Sequence, residues 1–266
     1  MNTYDTLEAY VQEYSNTAEN NDSIYTHFGE QTLANPLLTA HRNHIEKHEL
    51  GFGDAAFHHM WLLLLQSAAK KFSTVHCLEI GVFKGQVISL WSLLMREFHL
   101  QLELTAITPL KGNPVTASRI SRKLRYWFSP KFREEVRNGN FYPSEDYELA
   151  IKNLFSAFQL DFDSVHFERG FSNNPDILSS LRDKHFEIIY IDGDHTYDGV
   201  MSDFKNFGPK VPFGGWIIVD DASLYNPGTA FWKGHEAVSR ACDCLPELGF
   251  TNILNIGHNR IFQRIE

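Results

Sequence analysis

Three short stretches hold the residues whose types and spacing could do chemistry. The first is FEIIYIDGDHTYDGVMSDF, residues 186–204, where an apolar run gives way to Asp192, Gly193, Asp194 and His195 within four positions. Carboxylate and imidazole at this density are the raw material of proton transfer near neutral pH. A capped turn is the plain alternative, with Asp194 or Thr196 closing the N-terminus of the helix that follows. The other reading is a ligand site at the carboxyl edge of a sheet, where open α/β folds bind their ligands.

The second stretch is LEIGVFKGQ, in which a strand ends at Glu79 and Gly81 and Gly85 flank a tight turn into a helix. Glycines there let the backbone come close to a ligand, and a helix N-terminus offers free N–H groups. It is not the dinucleotide pattern G-x-G-x-x-G, because Phe83 fills a slot where a glycine would be wanted. The third stretch, GGWIIVDD, is a strand that ends in the acidic pair Asp220 and Asp221.

These stretches must be positioned by a regular frame. Strands are expected at TVHCLEIG, LELTAIT, DSVHFERG, FEIIYID and GGWIIVDD, with helices at QVISLWSLLMREF, PDILSSLRD and TYDGVMSDFKNFG between them. A further helix is expected over WKGHEAVSRACDCLPELG, and TNILNIG and NRIFQRI close the chain as two strands around a His258–Asn259 turn. Strand–helix alternation implies parallel pairing, and the terminal hairpin implies one antiparallel strand. Upstream, GDAAFHHMWLLLLQSAAKK reads as a core helix with Asp54 near its start and lysines at its end. The first fifty or so residues are polar and read as helical segments draped on the main body.

About fifty residues separate Thr108 from the next strand, so they must carry helices of their own. Within them RISRKLRYWFSPKFREEVR holds Arg119, Arg122, Lys123, Arg125, Lys131, Arg133 and Arg137. Only Glu134 and Glu135 oppose these seven cations, a local balance of +5. The chain as a whole carries −9, which argues against bulk nucleic-acid or anionic-membrane binding. With 266 residues, 43% hydrophobic and 14% aromatic, one large α/β domain with additions is affordable. MNTYDTLEAYVQEYSN lacks the basic start and apolar core of a signal peptide, and MWLLLLQSAA is too short to span a bilayer. Cys77, Cys242 and Cys244 form neither a disulfide framework nor a zinc knuckle, so a cytoplasmic setting is expected.

In the order and content of these motifs the chain resembles the class I S-adenosylmethionine-dependent methyltransferases. It looks most like the branch that includes the macrocin and mycinamicin sugar O-methyltransferases and the related cephalosporin-hydroxylase-like proteins. The resemblance covers about residues 52–265, and IDGDHTYDGVMSDF…GGWIIVDD is its most specific part. It implies a Rossmann-like, doubly wound sheet of seven strands, mostly parallel with one antiparallel strand. Residues 1–51 would be an N-terminal helical extension and 52–266 the methyltransferase domain, with a helical lid insertion at about 109–160.

The resemblance also implies roles. Glu79, Gly81, Lys84 and Gly85 would form the loop around the methionine part of S-adenosylmethionine. Thr108 stands where the family often has an acidic residue gripping the ribose hydroxyls; a hydroxyl bonds less strongly than a carboxylate. Phe171 and Ser172 would border the adenine. In metal-dependent members the positions of Asp192, Asp220 and Asp221 hold a divalent ion, and Asp192 also lies beside the cofactor and the catalytic groups. Carboxyl ends of adjacent parallel strands are about 5 Å apart and can converge on one ion. Hard oxygens suit Mg2+ or Mn2+. His195 matches the general base of some of these enzymes, and Asp194 ranks first as a helix cap.

Other histidines carry less. His41, His44 and His48 fall on one helical face, where a solvated face is favoured over a zinc site. His58 and His59 are expected at the surface of their helix or in a supporting role, and His235 on a loop that faces substrate. The expected partner is a small hydroxylated acceptor, a sugar or glycosylated natural product, anionic if the basic island faces it; no nucleic acid and no membrane are expected, and a homo-oligomer is left open. The rival readings are an NAD-type oxidoreductase, disfavoured by Phe83 and Thr108, and a catalytically silent binding protein of the same fold.

Overall fold

The structure is a computed structural model that describes residues 6–112, 119–137 and 144–266. Seven strands form one sheet: β1 (Val75–Ile80), β2 (Leu102–Thr108), β3 (Val165–Arg169), β4 (Ile188–Ile191), β5 (Trp216–Val219), β6 (Phe250–Ile256) and β7 (Asn259–Arg264). Their order is β3-β2-β1-β4-β5-β7-β6. All neighbouring pairs from β3 to β5 are parallel, and β7 runs antiparallel to both β5 and β6. This is the Rossmann-like methyltransferase fold expected above.

The short central strands are apolar on both faces because helices cover both. Ile188 and Tyr190 of β4 face one core, and Ile189 and Ile191 the other, as the two-residue side-chain period requires. The first core is closed by α4 (Ala55–Lys71), α5 (Gln86–Phe98) and α8 (Tyr147–Ala157). Trp61 packs edge-on against Trp91 at 4.8 Å and Tyr190 at 5.1 Å. The second is closed by α9 (Pro175–Ser180), α10 (Tyr197–Phe207) and α11 (Glu236–Cys242).

Three N-terminal helices, α1 (Leu7–Glu13), α2 (Ala18–Ala34) and α3 (Pro36–His48), pack on α4, with α1 and α2 also reaching β6. They do more than drape. The Asp22 carboxylate accepts the backbone N–H groups of Thr229 at 2.7 Å and Ala230 at 2.9 Å, and Asn21 donates to the Pro227 carbonyl at 2.8 Å. The loop after β5 is thereby tied down from a remote part of the sequence.

In the insertion after β2, α6 (Arg119–Phe128) and α7 (Pro130–Arg137) precede α8. Residues 113–118 and 138–143 of the expected lid, and the side chains of Arg119, Lys131 and Arg137, lie outside the described residues. The helix expected over residues 232–249 is shorter than the pattern suggested. It runs only from Glu236 to Cys242, because Pro246 cannot continue the ladder and a 3-10 turn at Leu245–Leu248 replaces it.

Candidate active site

Strand register alone assembles the centre of the site. Ile80 pairs with Ile191, and Ile191 with Val219, so Gly81, Asp192 and Asp220 are the next residues on three adjacent strands. The row continues one step past the ladder: Gly81 N donates to Ile107 O at 3.0 Å, Asp192 N to Ile80 O at 2.9 Å and Asp220 N to Ile191 O at 3.0 Å. The carboxyl edge of the sheet therefore ends in acids on β4 and β5 and a glycine on β1.

That glycine is fixed by its neighbour. Gly81 has φ +94°, and a Cβ there would stand 2.0 Å from the Asp192 carbonyl oxygen. The glycine is thus required by a close approach between two chain segments of the protein itself, whatever ligand the loop also meets. Glu79 is buried, its Oε2 has no hydrogen-bond partner, and burial with Asp192 nearby pushes its carboxyl well above the usual carboxylate range.

A cavity of about 890 Å3 opens over this edge. Of the sequence-derived residues, Glu79, Gly81, Thr108, Phe171, Ser172, Asp192, His195, Asp220 and Asp221 line it. Lys84 and Gly85 do not: Lys84 is held in an ion pair with Glu145 at 2.7 Å, and Gly85 caps α5 against Ile151. The Thr108 hydroxyl accepts the Leu110 N–H, while Phe171 is largely exposed at the rim. Asp194 accepts the Thr196 N–H at 2.9 Å, and Thr196 itself caps α10 through Gly199 N. The turn reading thus holds for Asp194 and Thr196, while Asp192 and His195 face the cavity.

The acidic edge meets three imidazoles. His195 Nε2 lies 3.4 Å from Asp192 Oδ1 and 3.5 Å from Asp221 Oδ2. His235, given little weight by its sequence context, lies 3.5 Å from the same Asp221 oxygen and stacks on His195 with ring centroids 4.9 Å apart. His258, in the β6–β7 turn, sits 3.2 Å from Asp220 Oδ1. Nothing local in the sequence flags His258; it arrives because β7 inserts beside β5 and Ala222 N bonds the His258 carbonyl at 2.8 Å.

The electrostatics follow from this crowding. Burial and then the charge of Asp220 push Asp192 well above the usual range, and the same causes bring Asp221 to about 7. Burial is the largest single influence on Asp220 and works against its ionised form, but the charge and hydrogen bond of His258, with His195 and Tyr190, together outweigh it and hold the carboxyl below its ordinary value. Burial alone would depress His258; Asp220, then Asp221 and Asp54, raise it to about 9. Burial, with His195 alongside, depresses His235 to about 4. Three carboxylates facing one cavity make a site that favours a cation, and the chemistry of the donors fits a divalent ion. At this edge, two clusters of described residues have donor atoms within 4.8 Å of one another: His195, Asp221 and His235, and Asp220, Asp221 and His258.

Away from the cavity floor two expectations are corrected. His41 is fully buried, not solvated: its Nδ1 lies 3.0 Å from His58 Nε2 and its Nε2 2.9 Å from Ser89 Oγ. His58 and His59 are buried too: His58 meets His41 of α3, and His59 packs edge-on against Phe28 of α2 at 4.9 Å. Of the basic island, Arg125 reaches the cavity wall and stacks over Phe132 at 4.4 Å.

A sequence-family profile described as "Methyltransferase domain" matches residues 78–222. No curated protein sequence matches the chain significantly. Among solved structures, the O-methyltransferase NovP is similar with a TM-score of 0.54 at 18% identity, covering 77% of this chain and 80% of its own. An O-methyltransferase from Bacillus cereus in complex with SAH has a TM-score of 0.52 at 13% identity, over 87% and 91%. TomG from Streptomyces achromogenes, an O-methyltransferase involved in tomaymycin synthesis and solved with SAM, has 0.50 at 13% identity, over 94% and 99%. At these identities the likeness is one of fold.

Proposed function

We propose a reaction for this cavity on one premise: the chain belongs to the methyltransferase-domain family and is an S-adenosylmethionine-dependent methyltransferase. The reaction is transfer of the sulfonium methyl to a hydroxyl of a small molecule, a sugar or glycosylated natural product, with a divalent ion at the acidic edge. The observation that carries it is the convergence of Asp192, Asp220, Asp221 and His195 on the cavity that Glu79 also lines.

The residues divide the work. The cavity is near the upper end of the range for ligand pockets, roughly 300–1,000 Å3, which leaves room for cofactor and acceptor together. Glu79, an orphaned buried acceptor, suits the ammonium of the cofactor's methionine part. Thr108, Phe171 and Ser172 line the same cavity; Phe171 and Ser172 would border the adenine and Thr108 the ribose. When bound, a divalent ion lowers the pKa of an acceptor hydroxyl and orients it. His195, beside Asp221, would hold the hydroxyl proton at Nε2 as general base. The same His195 nitrogen can accept a proton or ligate an ion, but not both at once. The cofactor supplies the methyl; the protein supplies alignment.

That three structural neighbours are named as O-methyltransferases supports oxygen as the acceptor atom. Arg125 at the wall supports an anionic acceptor such as a phosphate- or carboxylate-bearing sugar derivative, with the helical insertion at about 109–160 as its lid. No helix among the described residues is long and apolar enough to cross a membrane. The deciding experiment is calorimetric titration with S-adenosylmethionine and with NAD, followed by methyl transfer to a panel of hydroxylated acceptors with and without chelator. S-adenosylmethionine binding, NAD rejection and chelator-sensitive transfer are expected. Transfer that persists fully in excess chelator would return the carboxylates to a structural role.

A further inference from the structure

Resemblance assigns the ion to three carboxylates, an all-oxygen set for Mg2+ or Mn2+. The geometry points to a different donor set: we infer that the ion is held by His195 Nε2, His235 Nε2 and Asp221 Oδ2, and that the site takes a borderline transition ion such as Zn2+, Co2+ or Fe2+ in preference to Mg2+. This rests on the divalent-ion part of the proposed function and changes which residues bind it: His195 Nε2 then holds the ion and not the acceptor's proton.

The distances fit. Both imidazole nitrogens lie 3.5 Å from one Asp221 oxygen. Two ligands each about 2.1 Å from a tetrahedral ion are roughly 3.4 Å apart. The three donor atoms lie within 4.8 Å of one another, so a single point is within reach of all three. Both Nε2 atoms point to that one oxygen, and because the rings are stacked, 4.9 Å apart and 24° from parallel, a turn of one ring brings both in-plane lone pairs onto a shared ion. Two imidazoles and one carboxylate on one face leave positions open toward the cavity, as catalytic sites for borderline metals do.

The backbone is built to hold this arrangement. Asp221 is a non-glycine residue at φ +55°, a conformation that persists only where surroundings enforce it. His235 N bonds the Asp221 carbonyl at 2.8 Å, and Ala222 bridges to Gly234. Any side chain at position 234 would collide, since its Cβ would lie 2.1 Å from that same carbonyl oxygen. Gly234 therefore lets the His235 loop close on Asp221. Trp232 packs edge-on to His235 at 5.3 Å and fixes the ring from outside. The carboxylate cage is less complete: Asp220 is engaged by His258 at 3.2 Å, and Asp192, although its Oδ1 lies 3.4 Å from His195 Nε2, joins no three-donor cluster among the described residues. Mg2+ demands near-octahedral oxygen ligation, whereas imidazole suits the later divalent ions.

The test is titration of the full chain, dialysed against chelator, with Co2+ alone as a spectroscopic probe. A third imidazole–carboxylate set, His76, His185 and Glu187, lies at the opposite edge of the sheet, so a His185→Ala background removes competing binding there. One Co2+ per chain is expected, with visible bands intense enough for a four- or five-coordinate nitrogen-containing site. His235→Ala and the gentler His235→Gln should each weaken Co2+ binding about 10- to 100-fold, while Asp192→Asn changes it only a few-fold. Tighter binding of Co2+ than Mg2+ is expected of almost any such site and decides nothing alone; dependence on His235 is the decisive result. Co2+ affinity and spectrum unchanged in both folded His235 variants would overturn the inference, as would loss in Asp192→Asn alone. S-adenosylmethionine titration of the same samples separates the two levels. Cofactor binding without any ion binding sinks this inference and leaves methyl transfer standing; loss of cofactor binding in the parent chain sinks the proposed function itself.

Discussion

His195 and His235, forty residues apart in sequence, stack face to face and present Nε2 to the same oxygen of Asp221, each at 3.5 Å. One comes from the loop after β4 and the other from the cap of α11. Their meeting depends on the loop after β5, which is clamped by Asp22 of α2. The cavity chemistry is thus linked to a helix near the N-terminus.

Glu79 should release a proton when S-adenosylmethionine binds. Its buried carboxyl is held above the usual range, and a cationic ammonium against Oε2 would draw it into the ionised form. Calorimetry in buffers of different ionisation enthalpy reads this as a buffer-dependent binding enthalpy near neutral pH. Glu79→Gln should abolish that dependence and weaken the cofactor about 10- to 100-fold, the reach of a hydrogen bond to a charged group. A buffer-independent enthalpy in the parent would remove Glu79 from the cofactor site.

Gly81→Ala should cost stability as well as binding. Its Cβ would meet backbone, 2.0 Å from the Asp192 carbonyl oxygen, at a φ that L residues rarely adopt. A loss of about 2 kcal/mol or more is expected, a melting midpoint lower by several degrees. An unchanged midpoint would show that the β1 and β4 ends can separate freely.

Acid should destabilise the fold through His41 and His58. Burial depresses His41 to about 3 and His58 well below its ordinary value, so both stay neutral in the folded chain. Unfolded, they protonate near pH 6.5. Between pH 6.5 and about 3 the unfolded state binds more protons, so stability rises with pH there and falls on acidification. Melting midpoints between pH 7 and 5 should fall, and less steeply in His58→Gln, which cannot ionise. Equal slopes in the two proteins would exclude this pair as the cause.

Arg125→Gln should raise the Michaelis constant for a phosphate- or carboxylate-bearing acceptor about tenfold and leave a neutral acceptor unaffected. The salt dependence of the constant should become shallower, because a screened charge has been removed. Arg122, exposed on the same helix, serves as a control whose neutralisation changes neither. Equal effects from both positions would assign the island to general surface charge.

Much of this site was legible in the sequence because it depends on short-range rules. Apolar runs ending in Glu79–Gly81, Asp192 and Asp220–Asp221 mark strand ends, and parallel alternation puts every such end on one edge. Local capping chemistry likewise fixed Asp194 and Thr196 as turn residues. What the sequence could not decide were relationships made by distant segments. His258 reaches Asp220 only because β7 slots antiparallel between β5 and β6, and His41 is buried only because α3 folds onto α4. His235 stood between two readings, the start of a longer helix and a loop that faces substrate; tertiary packing made it a cap aimed at Asp221, with Gly234 beside it to permit the approach. Residue type and spacing determine which elements form and which edge carries the acids. The imidazoles that join those acids are chosen by packing, since side-chain direction at a loop or cap has no period to read.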